Sequence, residues 1–387
     1  MLEACLIGLT GYAQRHLEWI KTAQHQGRVH LQCMTILPEQ QETEAEAISE
    51  LKNEGVKIYS QVSTMFEEEK GNLQLCFLPT SISSHKSLTI QALEAGCHVL
   101  VEKPVAGSSE EVNEMIEARD RYGRYVVVGF QDIARRDVHL IKSGLQEGTW
   151  GNLQSINFTA IWPRHHHYFH RNNWVGKLQL NGTTTNDSPA NNATAHFLNT
   201  GLFISGDQAN ASAEVLCVDG NLYRSRQIES FDTMSVNFHL DTGINFRYTV
   251  SHSSTEKMNE DLNFHTDEGV LTIANRGTFW KPHGEDSQNL TVDNTQAGRD
   301  NMVSSFLDYV ERGESQWPHC NLELARTHVK AIETLHDQLP ILSLSDEVLT
   351  NQDDTVSILG IDHAISRARD EVLTFKEMGI SFPTKDA

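Results

Sequence analysis

The turn Gly8-Leu9-Thr10-Gly11-Tyr12-Ala13 joins a short apolar run to a helical pattern. In such a strand-to-helix turn, glycine permits tight reversal and lets backbone N–H groups approach a pyrophosphate seated on the helix N-terminus. Gly8 and Ala13 stand at the first and third positions of that pattern, while Thr10 replaces the second glycine and Gly11 follows it. The turn alone is therefore equally a nucleotide cradle or an ordinary α/β turn. At the end of the next strand an acidic residue would bond ribose hydroxyls and an arginine would take a 2′-phosphate. The chain reads Thr35-Ile36-Leu37-Pro38-Glu39: Leu37 sits where the Asp is expected, Glu39 is displaced, and no Lys or Arg is near, which favours NAD and leaves NADP open. Further on, Arg164-His165-His166-His167-Tyr168-Phe169-His170-Arg171-Asn172-Asn173-Trp174 gathers planar donors and aromatic faces. Its four histidines are alternatively a solvated loop or a nickel- or zinc-binding patch, although three consecutive ones cannot all face one ion. Asp187-Ser188-Pro189 predicts a helix start, with Asp187 or Ser188 as cap and Pro189 in the first turn. Asn192 and His196 then fall one turn apart on one face. From spacing alone, His196 is an interior histidine of an amphipathic helix.

The elements that must position these residues follow from periodicity. The first third alternates apolar runs with helical patterns: strands over 4–9, 29–37, 57–59, 73–78, 98–101 and 125–129, helices over 14–26, 43–54, 86–95 and 109–122. That is βαβ punctuation and predicts an α/β N-terminal domain with a doubly wound parallel sheet. Beyond about Gly151, alternating segments at 153–162, 213–222, 233–240, 244–252 and 262–273 predict an α+β domain whose large sheet is mostly antiparallel with one exposed face. Helices follow over 322–336 and 362–378. The expected domains are 1–130, 131–318 and 319–387, the last packing back on the first.

With 387 residues, two cores are expected. A net charge of -21, from 52 acidic and 31 basic residues, repels phosphate backbones and anionic lipid, so neither nucleic acid nor membrane is an expected partner. No long apolar window or secretory leader is visible, and the six cysteines lack a Cys-x-x-Cys pair, so buried reduced thiols in a cytoplasmic protein without a metal are expected.

The stretch Leu78-Pro79-Thr80-Ser81, His85, then Ala95-Gly96-Cys97-His98-Val99-Leu100-Val101-Glu102-Lys103-Pro104 closely resembles the Gfo/Idh/MocA family of oxidoreductases, relatives of glucose-fructose oxidoreductase and inositol dehydrogenase. The resemblance extends to the Arg164–Trp174 run and the Asn192/His196 segment. It implies a Rossmann domain binding NAD through Gly8, Thr10, Gly11, Tyr12, Ala13, Leu37, Pro79, Thr80, His85, Glu102, Lys103, Pro104 and Gln131. It implies a carbohydrate pocket of Arg164, Tyr168, Arg171, Trp174 and Asn192, with Lys103 and His196 as catalytic residues, and a homodimer or homotetramer. A cation beside the reacting oxygen would stabilise a developing alkoxide, and His196 would exchange the hydroxyl proton. A cis Lys103-Pro104 bond is also implied. The chain departs from the family by placing Asn192 where an Asp is common, and an amide cannot carry a proton. The expected activity is hydride transfer between a nicotinamide and a sugar, polyol or sugar-derivative carbinol. The alternatives are glycoside cleavage through transient oxidation and elimination, or a non-catalytic nucleotide sensor.

Overall fold

The computed structural model describes residues 1–314, 319–352 and 354–385. The chain forms two compact units, one of Met1–Ala134 with Arg299–Ala325, the other of Arg135–Gly298 with Arg326–Ala387.

In the first unit, β1 (Leu2–Ile7), α1 (Ala13–His25), β2 (Val29–Thr35), α2 (Pro38–Thr43), α3 (Ala45–Asn53), β3 (Lys57–Tyr59), α4 (Val62–Glu68), β4 (Leu75–Leu78), α5 (Ile82–Glu94), β5 (His98–Val101), α6 (Ser109–Tyr122) and β6 (Val126–Val128) alternate as expected. Short runs such as Leu75-Cys76-Phe77-Leu78 are buried throughout, as central parallel strands must be. The sheet order is β3-β2-β1-β4-β5-β6, with parallel pairing throughout. The order reverses between β1 and β4, and the crevice outside the carboxyl ends of strands at such a switch is where this architecture binds ligands. The helix predicted over 43–54 is α3, and a further short helix, α2, precedes it across Glu44.

Five of the six cysteines are buried, and Cys217 is exposed, a correction to the expectation that all are interior. Cys5 is in register with Cys33 and Cys76 on its two neighbouring strands. Burial raises the thiol pKa of Cys33 to about 12, and hydrogen bonding with Cys76 followed by burial raises that of Cys5, so the group stays protonated and inert.

The second unit begins with α7 (Arg136–Gln146), β7 (Leu153–Ile161), α8 (His166–His170), a hairpin of β8 (Gln179–Leu180) and β9 (Thr183–Thr184), and α9 (Ala195–Ile204). Strands β10 (Val215–Arg224), β11 (Thr233–Leu240), β12 (Asn245–Ser251), β13 (Met258–Thr266), β14 (Gly269–Ala274), β15 (Gly277–Pro282) and β16 (Gln288–Asn289) follow. After α10 (Thr295–Arg312) and α11 (Leu322–Gln338) come β17 (Ile341–Ser343), β18 (Leu349–Gln352), β19 (Thr355–Ile358) and α12 (Ile361–Glu371). Nine strands form one mostly antiparallel sheet, β16-β15-β14-β13-β7-β12-β11-β10-β17, with β12–β7 and β10–β17 parallel. The segment 262–273, expected as one strand, is a hairpin: Gly269 follows the turn at Asp267-Glu268, and Thr266 accepts the Gly269 N–H.

Two expectations are corrected by packing. The helix that completes the first unit's core is α10, whose Met302, Val303, Phe306 and Leu307 join Leu6, Phe77 and Leu100. The tail belongs instead to the second unit. Ile361, Ala364, Ile365 and Ala368 of α12, at helical spacing, bury against Ile161, Tyr223, Ile358 and Phe375. The face expected to be open is thereby partly covered: Phe375 N–H donates to Ser235 and Arg247 pairs with Glu377. Beneath this cover, hydroxyl pairs Thr233–Ser251 and Ser235–Thr249 satisfy the buried polar side chains at 2.7 and 2.8 Å.

Candidate active site

In the first unit the turn Gly8–Ala13 links β1 to α1. Gly8 has φ +104°, and a β-carbon there would stand 3.6 Å from that of Ala13, so Ala13 keeps helix and strand close. Gly11 has φ +64° and faces open space. Helix α1 has no acidic residue in its first turn and no side-chain cap, which leaves its positive end for an anion. Thr10, in the second glycine position, accepts a hydrogen bond from Gln40 at 3.0 Å. Leu37 is half exposed at the head of α2, and the side chain of Glu39 lies outside the described residues. These features fit a nicotinamide dinucleotide: a glycine turn and a helix N-terminus with no acidic residue in its first turn.

Lys103 lies just past the end of β5, half buried, and its bond to Pro104 is cis. Its backbone is tied down by its neighbour. Glu102, buried, accepts from Lys103 N–H at 3.2 Å and from His16 Nε2 on α1 at 3.0 Å. Gly129 lies against this carboxylate; a β-carbon there would fall 2.7 Å from Glu102 Oε2. Glu102 thus links the helix that follows the glycine turn to the lysine. His16 carried no signal beyond its place one turn after Tyr12.

His85, expected among the cofactor contacts, is buried with Nδ1 2.8 Å from Pro104 O and Nε2 3.0 Å from Thr80 O. Burial lowers its pKa. It joins the β4–α5 turn to the Lys103-Pro104 segment: each ring nitrogen faces a carbonyl, and the neutral ring donates to one of the two. Pro79 and Thr80 are half buried in that turn, whereas Gln131 is buried in the 3-10 turn after β6. Tyr12 keeps 43% of its surface exposed.

In the second unit the Arg164–Trp174 run does gather its planar donors. The Arg164 and Arg171 guanidinium carbons lie 4.6 and 4.1 Å from the centre of the Tyr168 ring, and Arg171 is 5.5 Å from that of Trp174. Burial, then the nearby Asp187 charge, raises the Tyr168 pKa and keeps the phenol a donor. His252, absent from the sequence expectations, sits 6.2 Å from the Tyr168 ring. Burial and then the Arg164 charge pull its pKa down to about 3, so it is neutral. Of the four histidines, His165 pairs with Thr355 and His170 with the His166 carbonyl; among the described residues no three His, Cys, Asp or Glu side chains are placed to hold a metal.

The helix bearing His196 starts later than expected. Thr194 returns both its N–H and its hydroxyl to Pro189 O, closing a separate turn, and α9 opens at Ala195 with Thr194 as N-cap. Ser188 caps that earlier turn through the Asn191 N–H. Asn192 therefore lies outside the helix, and the shared helical face with His196 does not form. Asn192 instead donates to Asp187 Oδ1 at 2.9 Å, while Oδ2 accepts from Gly176 N–H at 2.6 Å. A carboxylate is thus present one hydrogen bond behind the amide.

His196, half buried in the first turn of α9, is on a helix held at both ends. Tyr248 donates to Thr194 O at 2.7 Å before the first turn. At the other end Lys142, with 2% exposure, donates to the carbonyls of Phe203, Gly206 and Ala211. Burial lowers the Lys142 pKa to about 8, and the three carbonyls favour its charged form.

Residues 2–130 match the model of an oxidoreductase family with an NAD-binding Rossmann fold, GFO_IDH_MocA. They belong to the Gfo/Idh/MocA oxidoreductases. Both units share the fold of solved family-type dehydrogenases. The WlbA dehydrogenase from Bordetella pertussis, crystallised with NADH and UDP-GlcNAcA, superposes with a TM-score of 0.71 at 20% identity over 87% of this chain and 95% of that one. KijD10, a 3-ketoreductase from Actinomadura kijaniata crystallised with NADP, gives 0.69 at 13% identity over 89% and 99%. In sequence, D-glucoside 3-dehydrogenase of Escherichia coli K12 is 30% identical over 77 residues, 20% of this chain. That alignment spans 22% of the Escherichia coli protein's length. Among the described residues no helix is long and apolar enough to cross a membrane.

Proposed function

We propose that the protein is an NAD-dependent dehydrogenase or reductase that moves a hydride between the nicotinamide and a secondary alcohol or ketone of a sugar or sugar derivative. The observation that carries this reading is Lys103, at the carboxyl edge of a Gfo/Idh/MocA Rossmann sheet with its backbone anchored by the buried Glu102–His16 pair. The glucoside dehydrogenase and the dehydrogenase crystallised with the nucleotide sugar UDP-GlcNAcA support the carbohydrate class.

Bound NAD supplies the hydride acceptor or donor. The Lys103 ammonium holds the reacting oxygen and stabilises charge developing there, and His196 exchanges the hydroxyl proton. Asn192 hydrogen-bonds the sugar while Asp187, behind it, accepts from the amide nitrogen and fixes the amide's orientation. Arg164, Tyr168, Arg171 and Trp174 supply donors and ring faces to the sugar. We expect the protein to act as a homodimer or homotetramer.

The test is nicotinamide absorbance after adding NAD+ to the protein with a panel of sugars, polyols and glycosides. Absorbance change that requires Lys103 supports the reading. Aglycone release with NAD+ unconsumed would replace net redox by glycoside cleavage, and nucleotide binding with no turnover on any class would sink both.

A further inference from the structure

From Gly148 to Gly206 the chain carries a single acidic residue, Asp187, although 52 of its 387 residues are acidic. The Arg164–Trp174 run lies inside that stretch and brings two arginines onto one ring. The guanidinium carbons of Arg164 and Arg171 stand 4.6 and 4.1 Å from the centre of the Tyr168 ring, which places the two cations within about 9 Å of each other, close enough to repel. Among the described residues neither arginine pairs with a carboxylate, and Asp187 accepts from the Asn192 amide and the Gly176 N–H. Elsewhere in the second unit Arg135, Arg136 and Arg247 each grip a carboxylate, at 2.8, 2.6 and 2.8 Å.

Arg164 is the better placed of the two to take an anion. It is half buried, with its Nε sealed and unbonded; its two terminal nitrogens are not sealed, and among the described residues they make no hydrogen bond. Those two nitrogens form the end of the guanidinium, whose parallel N–H groups fit a carboxylate or phosphate in two bonds. Stacking on Tyr168 uses the face of the guanidinium and leaves this edge available. The Trp162 ring, 5.7 Å from the Arg164 guanidinium carbon, adds apolar surroundings in which a charge pair is stronger than in open water. The positive field reaches inward as well: after burial, the charge of Arg164 and then those of Arg226 and Arg171 hold the His252 pKa down at about 3.

We infer that the sugar derivative handled here is an anion, a sugar acid or sugar phosphate, whose oxyanion is held by the terminal nitrogens of Arg164 while Arg171 adds a second positive charge. The inference rests on the reading of the Arg164–Trp174 run as the substrate loop, and it makes Arg164 the residue that selects for charge.

Calorimetry on the full chain loaded with NADH tests it with matched pairs, D-glucuronate against D-glucose and D-galacturonate against D-galactose, beside glucose 6-phosphate and inorganic phosphate. At least one anionic sugar binds about tenfold or more tightly than its neutral counterpart, and the preference shrinks as salt is raised. Whether a uronate or glucose 6-phosphate leads identifies the oxyanion. Arg164→Lys keeps the charge but loses the fork and lowers anion affinity about tenfold; Arg164→Gln removes both and lowers it about a hundredfold. Should the Arg164 variants fail to fold, Arg171→Gln, at an exposed position, decides by a several-fold fall in anion affinity. Equal affinity for anionic and neutral sugars, no anion bound at millimolar concentration, or anion affinity untouched by these substitutions overturns the inference. Inorganic phosphate bound as tightly as every sugar anion overturns the sugar class. Anion binding that depends on Arg164, with no nicotinamide turnover on any substrate, upholds the inference and removes the redox reading; turnover of neutral sugars with no preference for anions does the reverse.

Discussion

Gly129→Ala probes the anchoring of Lys103 through a residue that has no chemistry of its own. The new β-carbon would stand 2.7 Å from Glu102 Oε2 and 2.8 Å from its Cδ and Oε1, where ordinary contact starts at 3.4 Å. The carboxylate must retreat by about 0.7 Å, which stretches bonds of 3.0 Å to His16 and 3.2 Å to Lys103 N–H beyond useful length. Losing one such bond to a buried carboxylate, together with local overpacking, costs about 2–4 kcal/mol. The backbone at Gly129 is outside the left-handed region, so alanine adds no strain of its own. Chemical denaturation of Gly129→Ala, Glu102→Ala and the double variant measures the effect as a cycle. The expected result is that Gly129→Ala costs less than about 1 kcal/mol once the Glu102 carboxylate is gone. Equal cost in both backgrounds, or none in the wild type, would refute the reasoning.

Two further outcomes follow from the second unit. Lys142→Met removes the ammonium that ties the Phe203, Gly206 and Ala211 carbonyls together at the end of α9, so stability should fall by about 1–3 kcal/mol in denaturation experiments while NADH affinity is unchanged. A stable variant would remove Lys142 from the support of the His196 helix. His252 is held neutral, with its pKa down at about 3 in the fold against about 6.5 when unfolded. The unfolded chain therefore takes up the proton first as pH falls, and stability present above about 6.5 drains toward 3 at up to about 1.4 kcal/mol per pH unit. His252→Asn should show a correspondingly shallower loss of stability between neutral and mildly acidic pH, and an unchanged slope would count against the assignment.

The Rossmann half was legible because its strands are apolar throughout and its helices are punctuated by turns; β3, β5 and α6 begin and end at the predicted residues. The tail was misplaced because an amphipathic stripe such as Ile361-Ala364-Ile365-Ala368 says that a face is buried, and not against which sheet. Helix α10 was missed although Met302-Val303 and Phe306-Leu307 carry the same signal, since the flanking Thr295 to Asn301 is polar. At the candidate site, local motifs marked Lys103, His196 and the Arg164–Trp174 run. The partners that hold them, His16 with Glu102 and Asp187 with Asn192, depend on pairings 86 and 5 residues apart, and only the second could be sought locally. Asn192 itself read as a lost carboxylate, and the fold shows Asp187 one hydrogen bond away.

The most direct measurement is turnover of Lys103→Met beside wild type, with NAD+ and whichever sugar gives the strongest absorbance change, alongside NADH affinity for each. Removing the cation should lower turnover about 10²- to 10⁴-fold while nucleotide affinity stays within a few-fold. Turnover that survives Lys103→Met unchanged would contradict Lys103 as the chemical centre.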